Sequence, residues 1–399
     1  MTASTDPRRA RVALLLPAVV LLAFQLRGAL VAPAPVAADA QADWAVGPAA
    51  LGLLTALPVL CFALATPLAL LLQRRFGLEG AIRVGLVGVV LATLLRSVGP
   101  FPVALAASVM LGAAITVGNV LVPTLIRRDV PLAGRGVATG AYTVALNVAT
   151  MLSALATAPL AGSVGWRAAV AAWALPGLLT VLLWSVPLLR RNEHVGAPPV
   201  PGARERLVRD PLPWLLVTMF AGQSFSYYGL TSWLPTLLAE ERGFDAVTAG
   251  GLSSVFQVAG AGGAVLVPLL ALRVRPAVVV GLVGLLWISL PIGLLVAPEA
   301  YLALSVAGGL AQGGGFTAVL TIVAQVARDT RHATVLSAFV QAGGYVAAAL
   351  AAPLLGALRQ VTGGWTAPVA VVVGTTATFL VFGVLAALTA SRRTKTHPR

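Results

Sequence analysis

Apolar residues in this chain run in long unbroken stretches, not at the period of a surface helix or a strand. From Val12 to Ala38 nearly every position is apolar. The same holds at 48–72, 80–98, 101–126, 134–161, 166–189, 211–239, 246–271, 276–296, 299–327, 332–357 and 365–390. At about 1.5 Å of rise per residue, runs of this length match the hydrocarbon thickness of a bilayer. The pattern predicts twelve transmembrane helices and hence an all-α membrane protein. Pro17, Pro33, Pro58, Pro123, Pro159 and Pro235 fall inside these runs. They do not argue against helices, because neighbouring helices can satisfy the backbone groups that proline frees.

The connections divide the chain in two. The longest, 190–210, is basic and contains Ala197-Pro198-Pro199-Val200-Pro201-Gly202. It reads as a linker between a six-helix half at 1–189 and a second at 211–399 that ends in a short tail. Internal matches support the cut. Arg128-Asp129 recurs as Arg328-Asp329, 200 residues on, and Gly165-Trp166 recurs as Gly364-Trp365, 199 on. Ala49-Ala50-Leu51-Gly52-Leu53 is echoed by Ala249-Gly250-Gly251-Leu252. A nearly constant offset argues for two parallel six-helix repeats around a midplane site, the layout of major facilitator transporters. At an offset of 200, Arg27 pairs with Tyr227.

Composition narrows the class. The chain has 399 residues, 58% hydrophobic and only 10% charged, with a mean hydropathy of +0.93. A soluble domain carries roughly 25% charged residues. The net charge of +14 does not signal nucleic-acid binding, because the basic residues are spread over alternate connections. Of the 27 Lys and Arg, Arg27 lies within the first run. Arg96, Arg167, Arg242 and Arg359 fall on one side of the membrane, and all the others on the opposite side. The positive-inside rule then puts both termini in the cytoplasm, as twelve spans allow. Trp44, Trp166, Trp214, Trp233 and Trp365 fall near span ends, where interfacial aromatics belong. The basic N-terminus followed by an apolar run resembles a secretion signal, but the run is too long and Arg27 interrupts it. The single cysteine, Cys61, is expected to pack as a small residue.

Arg27 is the main chemical clue. A guanidinium does not lose its proton in a protein. Placing it in hydrocarbon costs roughly 3 kcal/mol on insertion scales. Between Arg11 and Asp39 it falls within about 3 Å of the midplane, and no other Arg, Lys, Asp, Glu or His is expected so deep. A permanent buried cation without a counter-ion calls for an anion from outside the chain.

In the facilitator layout spans one, four, seven and ten line a central cavity, with spans two, five, eight and eleven assisting. The candidate substrate-binding residues are therefore Gln25, Arg27, Asn119, Tyr142, Asn147, Gln223, Tyr227, Gln257, Gln312, Gln341 and Tyr345. Tyr227 and Tyr228 are adjacent, so only one can face the cavity squarely, and the repeat favours Tyr227. Buried amides can also simply bond between helices. The glycines at 313–315 and 343–344 suit close helix contact or bending better than ligand binding. Arg128, Asp129, Arg328 and Asp329 are expected to latch the cytoplasmic gate. His194, His332 and His397 fall in connections or the tail. No metal-ligand cluster, nucleophile–base pair or phosphate loop is present, so neither a cofactor nor an enzyme is expected.

Apart from Glu299 and His332 at the first positions of their spans, no Asp, Glu or His falls within the predicted spans, so a proton relay of titrating side chains is not expected. Inward movement of an anion against a negative-inside potential costs about 2.3 kcal/mol per charge per 100 mV. Anion exchange, facilitation or export fits better.

Several motifs are similar to those of the cyanate/2-nitroimidazole transporter family of the major facilitator superfamily. Gln25-Leu26-Arg27-Gly28 resembles its Asn-x-Arg-Pro signature. Gly118-Asn119-Val120-Leu121-Val122-Pro123 with Arg127-Arg128-Asp129 also resembles the family, as do Trp233-Leu234-Pro235, Gly309-Leu310-Ala311-Gln312-Gly313-Gly314 and Gln341-Ala342-Gly343-Gly344-Tyr345. The resemblance covers both halves and implies a transporter of cyanate-like anions or nitroaromatic heterocycles. Gln25 and Gly28 depart from the signature. Arg74-Arg75-Phe76-Gly77 lacks the usual acid of the general facilitator motif, which implies a differently latched gate. The expected protein is a monomeric multi-pass carrier of the inner (plasma) membrane, in contact with lipid and a small-molecule solute. The alternatives are a broad-specificity efflux transporter with Arg27 structural, and a non-transporting membrane sensor.

Overall fold

The computed structural model describes residues 7–185, 208–271, 273–327 and 330–396. Most of the linker expected at 190–210 lies outside the described residues, as do Arg328, Asp329, His194 and His397. Among the described residues every regular element is helical.

Among the described residues, ten helices are long and apolar enough to cross a membrane by length and composition alone. Two more complete the set of twelve. The second span is Pro48–Leu64, continued past Ala65 by the helix that starts at Thr66. That helix runs to Val98 but leaves helical geometry at Gly77 (φ 71°, ψ 176°), where the second span gives way to the third. The seventh span is Pro211–Arg242. Its hydropathy is diluted by Gln223, Ser224, Ser226, Tyr227, Tyr228, Thr231 and Ser232, a polar load suited to a central position in the bundle. The remaining spans are Phe101–Asp129, Leu132–Val164, Trp166–Trp184 (interrupted at Trp173), Ala246–Ala271, Pro276–Val296, Tyr301–Val326, Thr330–Thr362 and Thr366–Thr396. The first span is helical from Pro7 to Val31, breaks around Pro33 and resumes at Ala37–Trp44. Pro17, Pro58, Pro123, Pro159 and Pro235 all lie inside helices.

The packing pattern recurs after six spans. Span one packs on span five, span two on span four, and span three on span six. Six spans later, seven packs on eleven, eight on ten, and nine on twelve. Leu91, Leu182, Val265 and Leu285 point outward, as a lipid-bathed surface requires. Spans eight and ten approach so closely that a Cβ on Gly313 would collide with the carbonyl oxygen of Gly260, and one on Gly263 with that of Leu310. The glycine cluster at 313–315 therefore serves close helix contact.

The two halves meet through two pairs of spans, two with eleven and five with eight. Both contacts tighten at the end of the bundle away from the termini. A Cβ on Gly52 would stand 2.6 Å from the Ala352 carbonyl carbon and the Pro353 nitrogen. On Gly250 it would stand 2.6 Å from the Ala154 carbonyl oxygen, and on Gly356 2.6 Å from that of Pro48. Backbone thus meets backbone, and this end is shut.

Polar girdles flank the same end in both halves. Arg167 donates to Asp43 at 2.8 Å and to the Ser97 and Gly99 carbonyls at 3.0 Å, with its guanidinium over Trp44 and Trp166. Arg359 and Trp365 both donate to Glu240, at 2.9 and 2.8 Å. Asp245 caps span eight through Val247 and Thr248, and the Thr248 hydroxyl holds its carboxyl below the usual carboxylate range. Trp233 departs from the interfacial expectation. It is buried, with Nε1 donating to the Ala352 carbonyl at 2.8 Å.

Candidate functional site

Arg27 leaves span one toward the second half, where its Nη1 donates to the Tyr228 hydroxyl at 2.9 Å. It is partly exposed, whereas Leu26 and Gly28 beside it are buried. Tyr227, Tyr345 and Tyr142 lie within electrostatic reach of the guanidinium. Four of the chain's five tyrosines therefore gather around one arginine, drawn from spans five, seven and eleven. The Tyr345 ring stands 5.5 Å from Phe62, 5.3 Å from Phe220 and 6.5 Å from Tyr228, edge to face in each case. The Tyr142 hydroxyl donates to Asn119 Oδ1 at 3.3 Å.

The directions of these bonds have a chemical consequence. A tyrosine hydroxyl that accepts from arginine turns its own hydrogen elsewhere. An asparagine whose oxygen is occupied keeps two N–H donors. Arg27 itself has only donors. Among the described residues no carboxylate pairs with it. The cluster therefore presents hydrogens from several sides around a fixed positive charge, within an aromatic wall. Such an arrangement complements an anion or the electron-rich end of a polar molecule.

Not every sequence candidate reaches this cluster. Tyr228, not Tyr227, makes the hydrogen bond to Arg27. Tyr227 packs edge-on against Tyr228 at 4.9 Å and stacks on Phe256 at 6.5 Å. Gln25 is turned away. It is two residues from Arg27, about 200° around the helix, and is buried against Gly177 and Val90. Gln223 donates to the Gln312 backbone carbonyl at 2.6 Å, tying spans seven and ten. The Gln312 amide lies where a Cβ on Gly260 would touch it at 2.5 Å. Gln341 donates to Ser337 one turn back on its own span, at 2.9 Å. Asn147 is partly buried on span five. Gln257 donates to the Thr231 hydroxyl at 3.1 Å.

Of the expected cytoplasmic gate residues, Arg128 and Asp129 are described, whereas Arg328 and Asp329 lie outside the described residues. Arg128 pairs with its neighbour Asp129 at 2.8 Å and with Glu79, at the start of span three. All three belong to the first half, and this cluster braces the corner between spans three and four. Glu79 supplies an acid just past Arg74-Arg75-Phe76-Gly77, and its side chain is only 4% exposed. Removing one partner of a pair this enclosed strands the other. Glu79→Gln is expected to destabilise the protein by about 3 kcal/mol, and Glu79→Gln with Arg128→Gln by clearly less than the two single changes summed. Thermal unfolding of the four proteins of that cycle in detergent checks this.

One buried cation escaped the sequence reading. Arg96 is 2% exposed, and its Nη1 donates to the Ala29 carbonyl of span one at 3.3 Å. Near a span end its position reads as solvated, but its long side chain turns inward.

Residues 15–304 match the model of the Major Facilitator Superfamily. The twelve-helix bundle agrees with the chain's likeness to a bacterial homologue of the human lysosomal transporter Spinster, solved in an inward-facing and unoccupied conformation. That match has a TM-score of 0.76 at 17% identity and covers 100% of each chain. The protein belongs to the major facilitator superfamily and is a membrane transporter, not an enzyme. Within that class, it is 31% identical to the 2-nitroimidazole transporter of Escherichia coli strain K12 over 391 residues, covering 97% of this chain and 98% of the relative. It is 26% identical to the cyanate transport protein CynX of the same organism over 368 residues, covering 87% and 90%. The chain is accordingly a member of the cyanate/2-nitroimidazole transporter family.

Proposed function

We propose that this transporter moves a small anionic or electron-poor solute, of the kind represented by cyanate or a nitroheterocycle, by alternating access around Arg27. The observation that carries this reading is the Arg27–Tyr228 pair. It is a cation at the meeting of the halves, bonded to a neutral hydroxyl and surrounded by donors. Arg27, Tyr228, Tyr142, Asn119 and Tyr345 form the site, with Tyr227 behind Tyr228. The two relatives' solutes support the class: one is a linear anion and the other carries an electron-rich nitro group.

The halves at 1–189 and 211–399 rock about this point, joined by the cytoplasmic linker at 190–210. The distribution of basic residues supports both termini being cytoplasmic in the inner (plasma) membrane. On that assignment the shut end faces outward and the site opens inward. The protein works as a monomer. Counterflow in proteoliposomes, run with cyanate and a panel of nitroazoles, tests the proposal. At least one of these solutes is expected to exchange faster than in protein-free vesicles, and transport of none of them would defeat it.

A further inference from the structure

Arg96 compensates for a defect in span one. The first helix of that span ends at Val31, and the chain then passes through a short turn of helix at Ala34–Val36. Proline has no amide hydrogen, so Pro33 leaves the Ala29 carbonyl, four residues back, without its helical donor. Arg96 of span three donates Nη1 to that carbonyl at 3.3 Å. The adjacent Gly28 carbonyl accepts from the Ala32 amide and from the Ser153 hydroxyl of span five, both at 3.1 Å. Spans three and five thus grip two neighbouring carbonyls just before the break.

A neutral donor would fill this gap at less cost. Arg96 is enclosed, its Nη2 has no hydrogen-bond partner, and among the described residues no carboxylate pairs with it. The carbonyls of a helix's last turn, however, carry the negative end of its dipole, and a cation is the donor they favour. The repeat supplies a comparison. At the offset of 200, Pro35 pairs with Pro235, but Pro33 and Arg96 pair with Trp233 and Val296. Span seven continues as one helix through Pro235 to Arg242, and Val296 is exposed. The break and the buried arginine occur together in the first half, and neither occurs at the matching positions of the second.

The segment beyond the break lies where the halves meet. Ala34–Val36 packs on span five of the first half and on spans seven and eight of the second. A Cβ on Gly250 would stand 3.8 Å from that of Pro35. With Leu234 and Gln257, Pro35 bounds a small cavity behind the seal. We infer that Arg96 is a positioning residue of the transport cycle. It stands in for the donor that Pro33 lacks, and so holds the broken end of span one as a wedge that keeps this end of the bundle shut. The role is the same whichever solute is carried.

The test reads the width of the shut end in the full-length protein in lipid nanodiscs. Spin labels are placed on Ala38→Cys, just past the wedge, and on Val361→Cys, at the same end of span eleven. Both positions are exposed, and Cys61→Ser removes the native thiol. The parent is expected to give one narrow distance distribution. Arg96→Met is expected to raise the long-distance fraction about tenfold, as loss of a charge-assisted hydrogen bond implies. Pro33→Ala supplies the rescue. Pro33 has helical angles (φ −71°, ψ −21°), so an alanine there presents its N–H to the Ala29 carbonyl. Arg96→Met combined with Pro33→Ala is expected to restore the narrow distribution, which a mere loss of packing around Arg96 would not allow. An unchanged distribution in Arg96→Met, or a double variant as broad as the single one, overturns the proposal. If Arg96→Met alone does not fold, recovery of folding in the double variant supports the role and failure there overturns it.

Discussion

Arg27→Ala is expected to cut solute counterflow by more than about 100-fold without lowering the melting temperature. The two halves of this result have different causes. On the proposed role of Arg27, the guanidinium supplies the charge and several of the donors that meet the solute, and loss of a charged hydrogen-bonding group from an enclosed site costs about 3 kcal/mol, or roughly 100-fold. Stability is not expected to fall, because no described carboxylate loses its partner when Arg27 goes. Tyr228 alone is released, and a cation that is costly to hold in this setting is removed. Arg27→Lys keeps the charge but not the planar fork, so an intermediate loss of about tenfold is expected. Counterflow and thermal unfolding on the same preparations separate the possibilities. A falling melting temperature with transport preserved would identify Arg27 as a structural latch and favour the efflux alternative.

Gly52→Val is expected to open the shut end. A side chain at Gly52 meets the Ala352–Pro353 backbone at 2.6 Å, and backbone cannot swing aside as a flexible side chain can. Overpacking of this kind costs about 1–3 kcal/mol. Here the strain is relieved by separating the halves instead of distorting a helix. The equilibrium between access states should shift by about tenfold or more. The readout is a cysteine placed at Leu234, which is 1% exposed and lines the cavity behind the seal, in a Cys61→Ser background. A membrane-impermeant thiol reagent added outside should label it slowly in the parent and much faster with Gly52→Val. Unchanged protection in a folded variant would mean that this contact does not govern access.

The sequence exposed the outline of this protein because a bilayer simplifies the code. Apolar runs of fixed length, basic residues on alternate connections and matches near one offset are all local properties of the chain. Arg27 was legible for the same reason, as a charge in an apolar run. What depends on rotation about a helix axis was less legible. Tyr227 and Tyr228 differ by about 100°, and the contact that forms lies 201 residues from Arg27, one beyond the offset of the repeat. Gln25 resembles part of a signature yet lies on the opposite face. Side chains near span ends are hard to read from position alone. Glu79 and Arg96 look solvated by position, but both turn inward and are buried. The echoed segments that hold Gly52 and Gly250 signalled duplication, but the task of these two glycines depends on which backbone each meets. They are the facing points of the two inter-half contacts.

The Tyr228 hydroxyl bears on the energetics of the unloaded carrier. A carrier whose buried charge is bare when empty cannot easily reorient without cargo, and is confined to one-for-one exchange. Here the guanidinium has a neutral oxygen partner from the opposite half. On the proposed role of Arg27 as the solute's anchor, that oxygen can take the solute's place during the return movement. The return stroke then needs no passenger, so net flux down a gradient becomes available alongside exchange.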